Sequence, residues 1–343
     1  VGDRALTANT TGNGNVALGK NALAANTTGT QNIAFGQNSL DANTTGNNNV
    51  AAGHDSLTAN TTGNANTSAG RRSLSSNTTG GNNVAIGYQS LQDNTTASNS
   101  VAIGYNSLIG NTTGANNVAV GAEALESNTT GNDCVAVGRQ ALEQNTASNN
   151  TAVGRLALAQ NTTGVSNVAV GTNALDANTT GNQNIGIGKN ALGANTTGAQ
   201  NTGIGHGALA VNTTANNNTS VGFHSLVANT TGAENVAVGA TTLDANTTGS
   251  RLVGIGYEAL TSNTTGYNSV AVGRQALGAQ TTGNQNTALG YNALQSLTTG
   301  TQNVAVGNEA LQKNTTADNN TGIGHHALEE NTTGTQNTAV GAF

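Results

Sequence analysis

The stretch Asn77-Thr78-Thr79-Gly80-Gly81-Asn82-Asn83-Val84-Ala85-Ile86-Gly87-Tyr88-Gln89-Ser90-Leu91-Gln92-Asp93 is one complete copy of a 17-residue unit. Its opening Asn-Thr-Thr-Gly also begins at Asn9, Asn26, Asn43 and Asn60, always 17 residues apart. That spacing runs to Asn145, slips once to 16 at Asn161, and then holds to Asn331. Gln280 and Leu297 replace the opening Asn without disturbing the phase. Counting that Asn as position 1, position 11 is Gly and position 15 is Leu in every copy. A fixed period of this length is the signature of a solenoid, in which each repeat stacks only on its neighbours. The expected fold is therefore all-β: a parallel β-solenoid, or β-roll, of about twenty coils. Residues 1–343 read as a single continuous array, cut out of a longer chain.

Composition supports an ordered but unusual chain. Charged residues are 8% and aromatics 2%, Pro, Met and Trp are absent, and Gly numbers 47. Disordered sequences combine low hydrophobicity with high net charge. Here the net charge is −6 and the apolar residues are locked to fixed positions. No apolar run approaches membrane-spanning length, so no membrane insertion is expected of this segment. The absence of clustered positive charge argues against nucleic acid as a partner. Cys134 is the only cysteine, so it has no intrachain disulfide partner and reads as a filler of its column.

Helix is excluded because the segments between glycines are short and rich in Asn and Thr. Positions 8–10, such as Val118-Ala119-Val120, alternate a β-branched residue with a small one and predict a short strand. A coil of two short strands and two bends is expected. On this reading positions 8 and 10 face inward with the Leu of position 15. Position 9, always Ala, Gly or Ser, would then face outward as a smooth row that packs against another chain. The Gly at position 11 marks a corner needing positive φ or lacking room for a Cβ. Asn at positions 1 and 7 should form amide ladders between coils. Positions 17 and 4 read as one corner that switches conformation where Ala replaces Gly, as at Ala97.

Asn83-Val84-Ala85-Ile86-Gly87-Tyr88-Gln89-Ser90 and Asn99-Ser100-Val101-Ala102-Ile103-Gly104 resemble the repeats of trimeric autotransporter adhesin heads. The whole Asn-Thr-Thr-Gly unit also looks like repeats of phage tail-fibre-type proteins. The resemblance implies a left-handed roll, packed as a homotrimer and located outside the cell, on the cell surface or on a virion. The second half of the unit departs from the adhesin pattern, so no binding residue carries over.

Catalysis requires unlike groups converging at one place, and nearly identical coils offer none. No catalytic residue, cofactor or metal site is expected. His325 and His326 are neighbours, but alternation along a strand would turn them to opposite faces. The acids Asp41, Glu126, Glu143, Asp176 and Asp244 recur at position 16 as a solvated edge. Asn-Thr-Thr is also a glycosylation sequon, but a glycan on every coil at about 4.8 Å spacing would collide with its neighbours. Three functions compete: an extracellular structural or adhesive fibre segment, an ice-binding solenoid using Thr at positions 2 and 3, and a catalytic solenoid. The first fits the pattern best.

One position stands out. Position 12 holds Tyr88, Tyr105, Tyr257, Tyr291 and Phe223, and also six of the ten Lys and Arg residues, among them Arg139, Arg155 and Arg274. Stacking turns that position into a stripe. Tyr88, Tyr105, Arg139, Arg155, Tyr257, Arg274 and Tyr291 are the candidate contact residues, suited to a surface glycan or host receptor by stacking and charge. The same residues could instead pack between chains, against acids such as Glu123, Glu126 or Glu143, or form a solvated edge.

Overall fold

The computed structural model describes residues 1–342. The chain is a parallel β-solenoid with one strand per coil. Twenty three-residue strands, β1 (Val16–Leu18) to β20 (Thr338–Val340), all occupy positions 8–10. No helix occurs among the described residues, and so none is long and apolar enough to cross a membrane. Two units are distinguished, Val1–Ala169 and a second from Val170 onward. In the first, β1 pairs in parallel with β2 (Ile33–Phe35), matching Val16 to Ile33, and the pattern repeats up the unit. In the second, pairing runs from β11 (Ile185–Ile187) to β20 in the same 17-residue register.

The expected second strand is absent, because the backbone turns left-handed where a strand would need extension. Positions 13 and 15 have φ near +55°, as in Gln89 (55°) and Leu91 (53°), and position 6 does too, as in Asn82 (58°). Left-handed φ is a rare conformation for Leu, yet every position-15 Leu adopts it. Hydrogen bonds to adjacent coils hold these turns open. The Leu91 N–H donates to the Ser107 carbonyl (2.9 Å), and the Gln89 N–H donates to the Arg71 carbonyl (3.0 Å). The Ala97-bearing coil has the same left-handed residues, Asn99, Asn106 and Leu108, as its Gly-bearing neighbours. At position 4 neither a Gly copy such as Gly80 nor an Ala copy such as Ala97 has positive φ.

The sidedness of the strand is the reverse of the sequence expectation. Position 9 is buried: Ala85, Ala102, Ala119 and Ala136 have no exposed surface. Positions 8 and 10 point outward, with Ile86, Ile103, Val153 and Ile255 each more than a third exposed. The cause is the width of the coil. Leu at position 15 crosses the interior and ends against position 9 of the next coil. A Cβ built on Gly186 lies 3.1 Å from Leu175 Cγ, and one built on Gly203 lies 3.2 Å from Leu192 Cγ. Only Gly, Ala or Ser fits opposite such a leucine. Position 14, overlooked in the sequence, completes the core with Ala124, Ala141 and Ser90, all fully buried.

The rest of the interior is polar, and nearly all of it is hydrogen-bonded. At position 1, Asn43 Nδ2 donates to Asn26 Oδ1 (2.8 Å) and to the Gly46 carbonyl (3.0 Å) of its own coil. At position 7, Asn32 Nδ2 donates to that same Gly46 carbonyl (2.8 Å), and its Oδ1 accepts the Asn49 N–H (3.0 Å). The expected ladders are present, amide to amide at position 1 and largely amide to backbone at position 7. Position 11 needs Gly on both counts: Gly104 has φ of 136°, and a Cβ there would lie 2.6 Å from the Gly121 carbonyl oxygen.

The 16-residue coil loses one residue of the exposed position 2–3 segment, and its strand β9 (Thr151–Val153) still pairs in register with β8 (Val135–Val137). The cost falls on the ladder. Asn128 Oδ1 is buried without a hydrogen-bond partner, and Asn145 turns to the Ala147 carbonyl (2.7 Å) and to Cys134 Sγ (3.7 Å). Burial pushes the Cys134 thiol up, so the reactive thiolate is disfavoured.

These contacts give two expected outcomes. Ala119→Leu should overpack the coil and cost about 1–3 kcal/mol, seen as a lower denaturation midpoint, because position 9 faces Leu and not solvent. An unchanged midpoint would mean that the row faces outward after all. Asn60→Ala should cost a similar amount, about 1–3 kcal/mol, because it leaves the buried Asn43 Oδ1 and Gly63 carbonyl short of donors.

Candidate functional site

Position 12 follows the Gly corner, where the chain has left the strand and turned to solvent. Tyr88, Tyr105, Tyr257 and Tyr291 are between 38% and 52% exposed. Arg139, Arg155 and Arg274 are exposed as well. All seven candidate contact residues therefore lie along the outer edge of their own unit. In the first unit, Tyr88 and Tyr105 stack face to face with centroids 5.7 Å apart and planes 8° from parallel. The Arg71 guanidinium lies 5.9 Å from the Tyr88 centroid. In the second unit, Arg274 sits between two rings, 5.9 Å from Tyr257 and 5.7 Å from Tyr291. The solenoid repeat itself sets this spacing, since residues 17 apart stack one strand spacing from each other. Ala122 separates Tyr105 from Arg139 in the stripe, and the Arg139–Arg155 pair is not brought into the aromatic stack.

Beside the Tyr257–Arg274–Tyr291 sandwich, position 16 is Gly278. The missing side chain leaves a groove of about 490 Å³, lined by Thr261, Ser262, Gln275, Gln295 and Ser296. Gln275 Nε2 donates to Glu258 Oε2 (2.7 Å), and Gln295 Nε2 donates to Gln275 Oε1 (3.2 Å). A second aromatic group comprises His206, Phe223 and His224, with the Phe223 and His224 centroids 4.0 Å apart. It exists because position 13 of the coil below is Gly207, where a Cβ would meet His224 Cδ2 at 2.7 Å.

The charges of this edge are arranged less simply than the sequence implied. Among the described residues the carboxylates of this edge meet Lys313 and the rings of His54 and His326, not the arginines of the stripe. His325 and His326 are not turned to opposite faces, because positions 12 and 13 belong to a turn and not to a strand. Their rings meet edge to face with centroids 3.9 Å apart. His326 also contacts Glu309 and Glu329, a grouping that sequence reading missed. It becomes visible once positions 13 and 16 are known to share one edge. No protein-family model matches the chain, and no curated protein matches it significantly.

Two titrations follow from this edge. Burial pushes the Glu126 carboxyl above the usual glutamate range, and the charges of Glu123 and Glu143 push it further. A folded-state value raised above the unfolded one means that folding takes up protons. The stabilisation is complete below the ordinary glutamate range and is lost as pH rises through the raised value. Glu126→Gln should therefore raise the melting midpoint at neutral pH, and the gain should vanish in acid. A hydrogen bond to Glu258, followed by the charge of Glu258, raises the Tyr257 phenol. Glu258→Gln should shift the Tyr257 phenolate transition to lower pH, followed by near-ultraviolet absorbance.

Proposed function

We propose that this chain is an extracellular structural or adhesive fibre segment that assembles with further copies of itself through its outward sheet face. One observation carries the reading. Position 8 is always Val, Ile or Thr, and position 10 is always Val, Ile, Leu, Phe or Ala, with no charge in either row. Both rows face out of the coil. A sheet with one face in water normally alternates apolar and polar residues, whereas strands that are apolar on both faces are covered on both. Nine strands at about 4.8 Å spacing give the first unit a strip roughly 40 Å long. At about 10 Å wide it reaches on the order of 400 Å², the size at which apolar patches mark interaction sites.

The natural occupant is a second copy of the same strip. An uncharged face offers nothing to select a charged partner, and its ridges repeat at a spacing that an identical stack matches. The resemblance to adhesin heads favours three copies. The small-residue row at position 9, first expected to form that interface, is replaced in the role by positions 8 and 10. The position-12 edge then lies outside the packed face, where Tyr88, Tyr105, Arg139 and Arg155 are open to a surface glycan or receptor.

The ice-binding alternative receives less support. Position-2 hydroxyls donate to the carbonyl of the next coil, as Thr27 Oγ1 does to Thr44 (3.0 Å) and Thr44 Oγ1 to Thr61 (3.1 Å). Only position 3 keeps a free file of hydroxyls on that side. Thermal hysteresis in the purified chain would favour this alternative.

The assembly test uses Val101→Lys with Ile103→Lys, which places charge on the outward face and leaves the Leu-filled interior intact. Light scattering should show a multiple of 33.8 kDa for the parent chain and the single-chain mass for the variant. A monomeric parent, or an unchanged variant mass, would sink the proposal. Serine at Tyr88, Tyr105, Arg139 and Arg155 should abolish surface binding and preserve the oligomer mass. Loss of mass instead would assign the edge to packing.

A further inference from the structure

Glu309 and His326 occupy position 13 of two successive coils, and Glu329 occupies position 16 of the second. His326 Nδ1 lies 2.5 Å from Glu329 Oε2 and 3.3 Å from Glu309 Oε2. One donor atom from each of the three residues falls within 4.8 Å of the other two. The three side chains are 24–25% exposed, so the group is withdrawn from bulk water and still reachable. It is the one such grouping found among the described residues.

We propose that Glu309, His326 and Glu329 form a binding site for a divalent transition-metal ion of the zinc type, joining two adjacent coils. The donor set selects the class. Carboxylates alone would suit calcium or magnesium, whereas an imidazole between two carboxylates suits zinc and its neighbours. Zinc takes nitrogen and oxygen donors at about 2.0–2.2 Å, which places tetrahedral ligands about 3.3 Å apart. The His326–Glu309 separation already has this value. The Glu329 carboxylate, hydrogen-bonded to His326 without metal, would swing outward by a little under about 1 Å. Three protein donors leave a fourth position for water or an incoming ligand.

The lysine nearest the two carboxylates is shared with a third. Lys313 is ion-paired with Glu330, and its Nζ lies 3.9 Å from Glu329 Oε1. His325 packs its ring against His326. A divalent ion would neutralise Glu309 and Glu329, where a single shared lysine does not. Coordination uses the Nδ1 lone pair of His326, so a metal ion and a proton compete for that atom. The competing arrangement is a plain ion pair, with a protonated His326 held between two glutamates, and that arrangement takes no metal.

The test is titration calorimetry of the chelator-treated chain with zinc chloride at neutral pH. The expected result is one equivalent bound, with a dissociation constant of about 10 μM or tighter. His326→Gln, Glu309→Gln and Glu329→Gln should each weaken it at least about tenfold. All three variants install a residue that the same position already carries elsewhere. Gln89, Gln140 and Gln275 occupy position 13, and Gln92, Gln295 and Gln312 occupy position 16. Metal-free melts of these variants should match the parent, and zinc should raise the midpoint of the parent only. No binding by the parent, or undiminished binding by His326→Gln, overturns the proposal. Binding lost in His224→Asn instead would assign the zinc to the His206–His224 pair, which stacks at 5.3 Å, and would also overturn it.

Discussion

The contact between the leucine of one coil and the small residue at position 9 of the next sets the cross-section of each unit. Leu is the only large side chain that the coil interior repeats, and it spans the space between the turn and the strand. Only the small side chains of Gly, Ala or Ser fit opposite it. The strand must therefore present position 9 inward, and the two-residue alternation of a strand sends positions 8 and 10 outward. From that single steric choice come the thin core, the apolar outer face and the case for self-assembly. A thicker coil could have hidden its β-branched residues and stood alone.

So thin a core needs help from hydrogen bonds, and the polar interior supplies it. The Gly46 carbonyl accepts from two asparagines, one of its own coil and one of the coil before, an arrangement repeated wherever positions 1 and 7 are both Asn, as at Gly63. Buried amides left unpaired are expensive, so the ladder punishes a slipped register more strongly than apolar contacts do. The left-handed Leu is held in the same way. Its conformation is unfavourable by itself, yet its N–H reaches the next coil's position-14 carbonyl only in that geometry. The 16-residue coil shows the limit of tolerance: the strand keeps its partner while one amide oxygen, on Asn128, is orphaned.

The architecture could be read from the sequence because it depends on periodicity: Gly at position 11, Leu at position 15 and the Asn-Thr-Thr-Gly corner specify a stack without reference to side-chain direction. Sidedness could not be read, because Val-Ala-Val alternates equally well under either assignment. The choice turns on interior width, which depends on the left-handed turns at positions 13 and 15, and Leu at position 15 gives no outward sign of that conformation. Position 12 was legible since its residues are unusual for the chain, and all seven lie on the exposed edge. The Glu309–His326–Glu329 group was hidden for a different reason. Strand alternation predicts opposite faces for His325 and His326, which lie in a turn, and the sequence of position 16 gives no sign of its neighbours at position 13.

A repetitive array has two ways to carry specific chemistry. It can multiply a weak contact along a row, as the outward sheet face and the Tyr88–Tyr105 and Tyr257–Arg274–Tyr291 stacks do. Each coil then contributes little, and affinity grows with the number of coils engaged together. It can also depart from the repeat at one place and bring unlike groups together there. Substitutions at positions 12, 13 and 16 are open to that route because those side chains leave the coil, whereas positions 1, 4, 7, 9, 11, 14 and 15 are committed to the stack. The division explains why most of the charged and aromatic residues of an otherwise monotonous sequence gather at positions 12, 13 and 16. That edge is the part of the coil where a new side chain need not disturb the coil above or below.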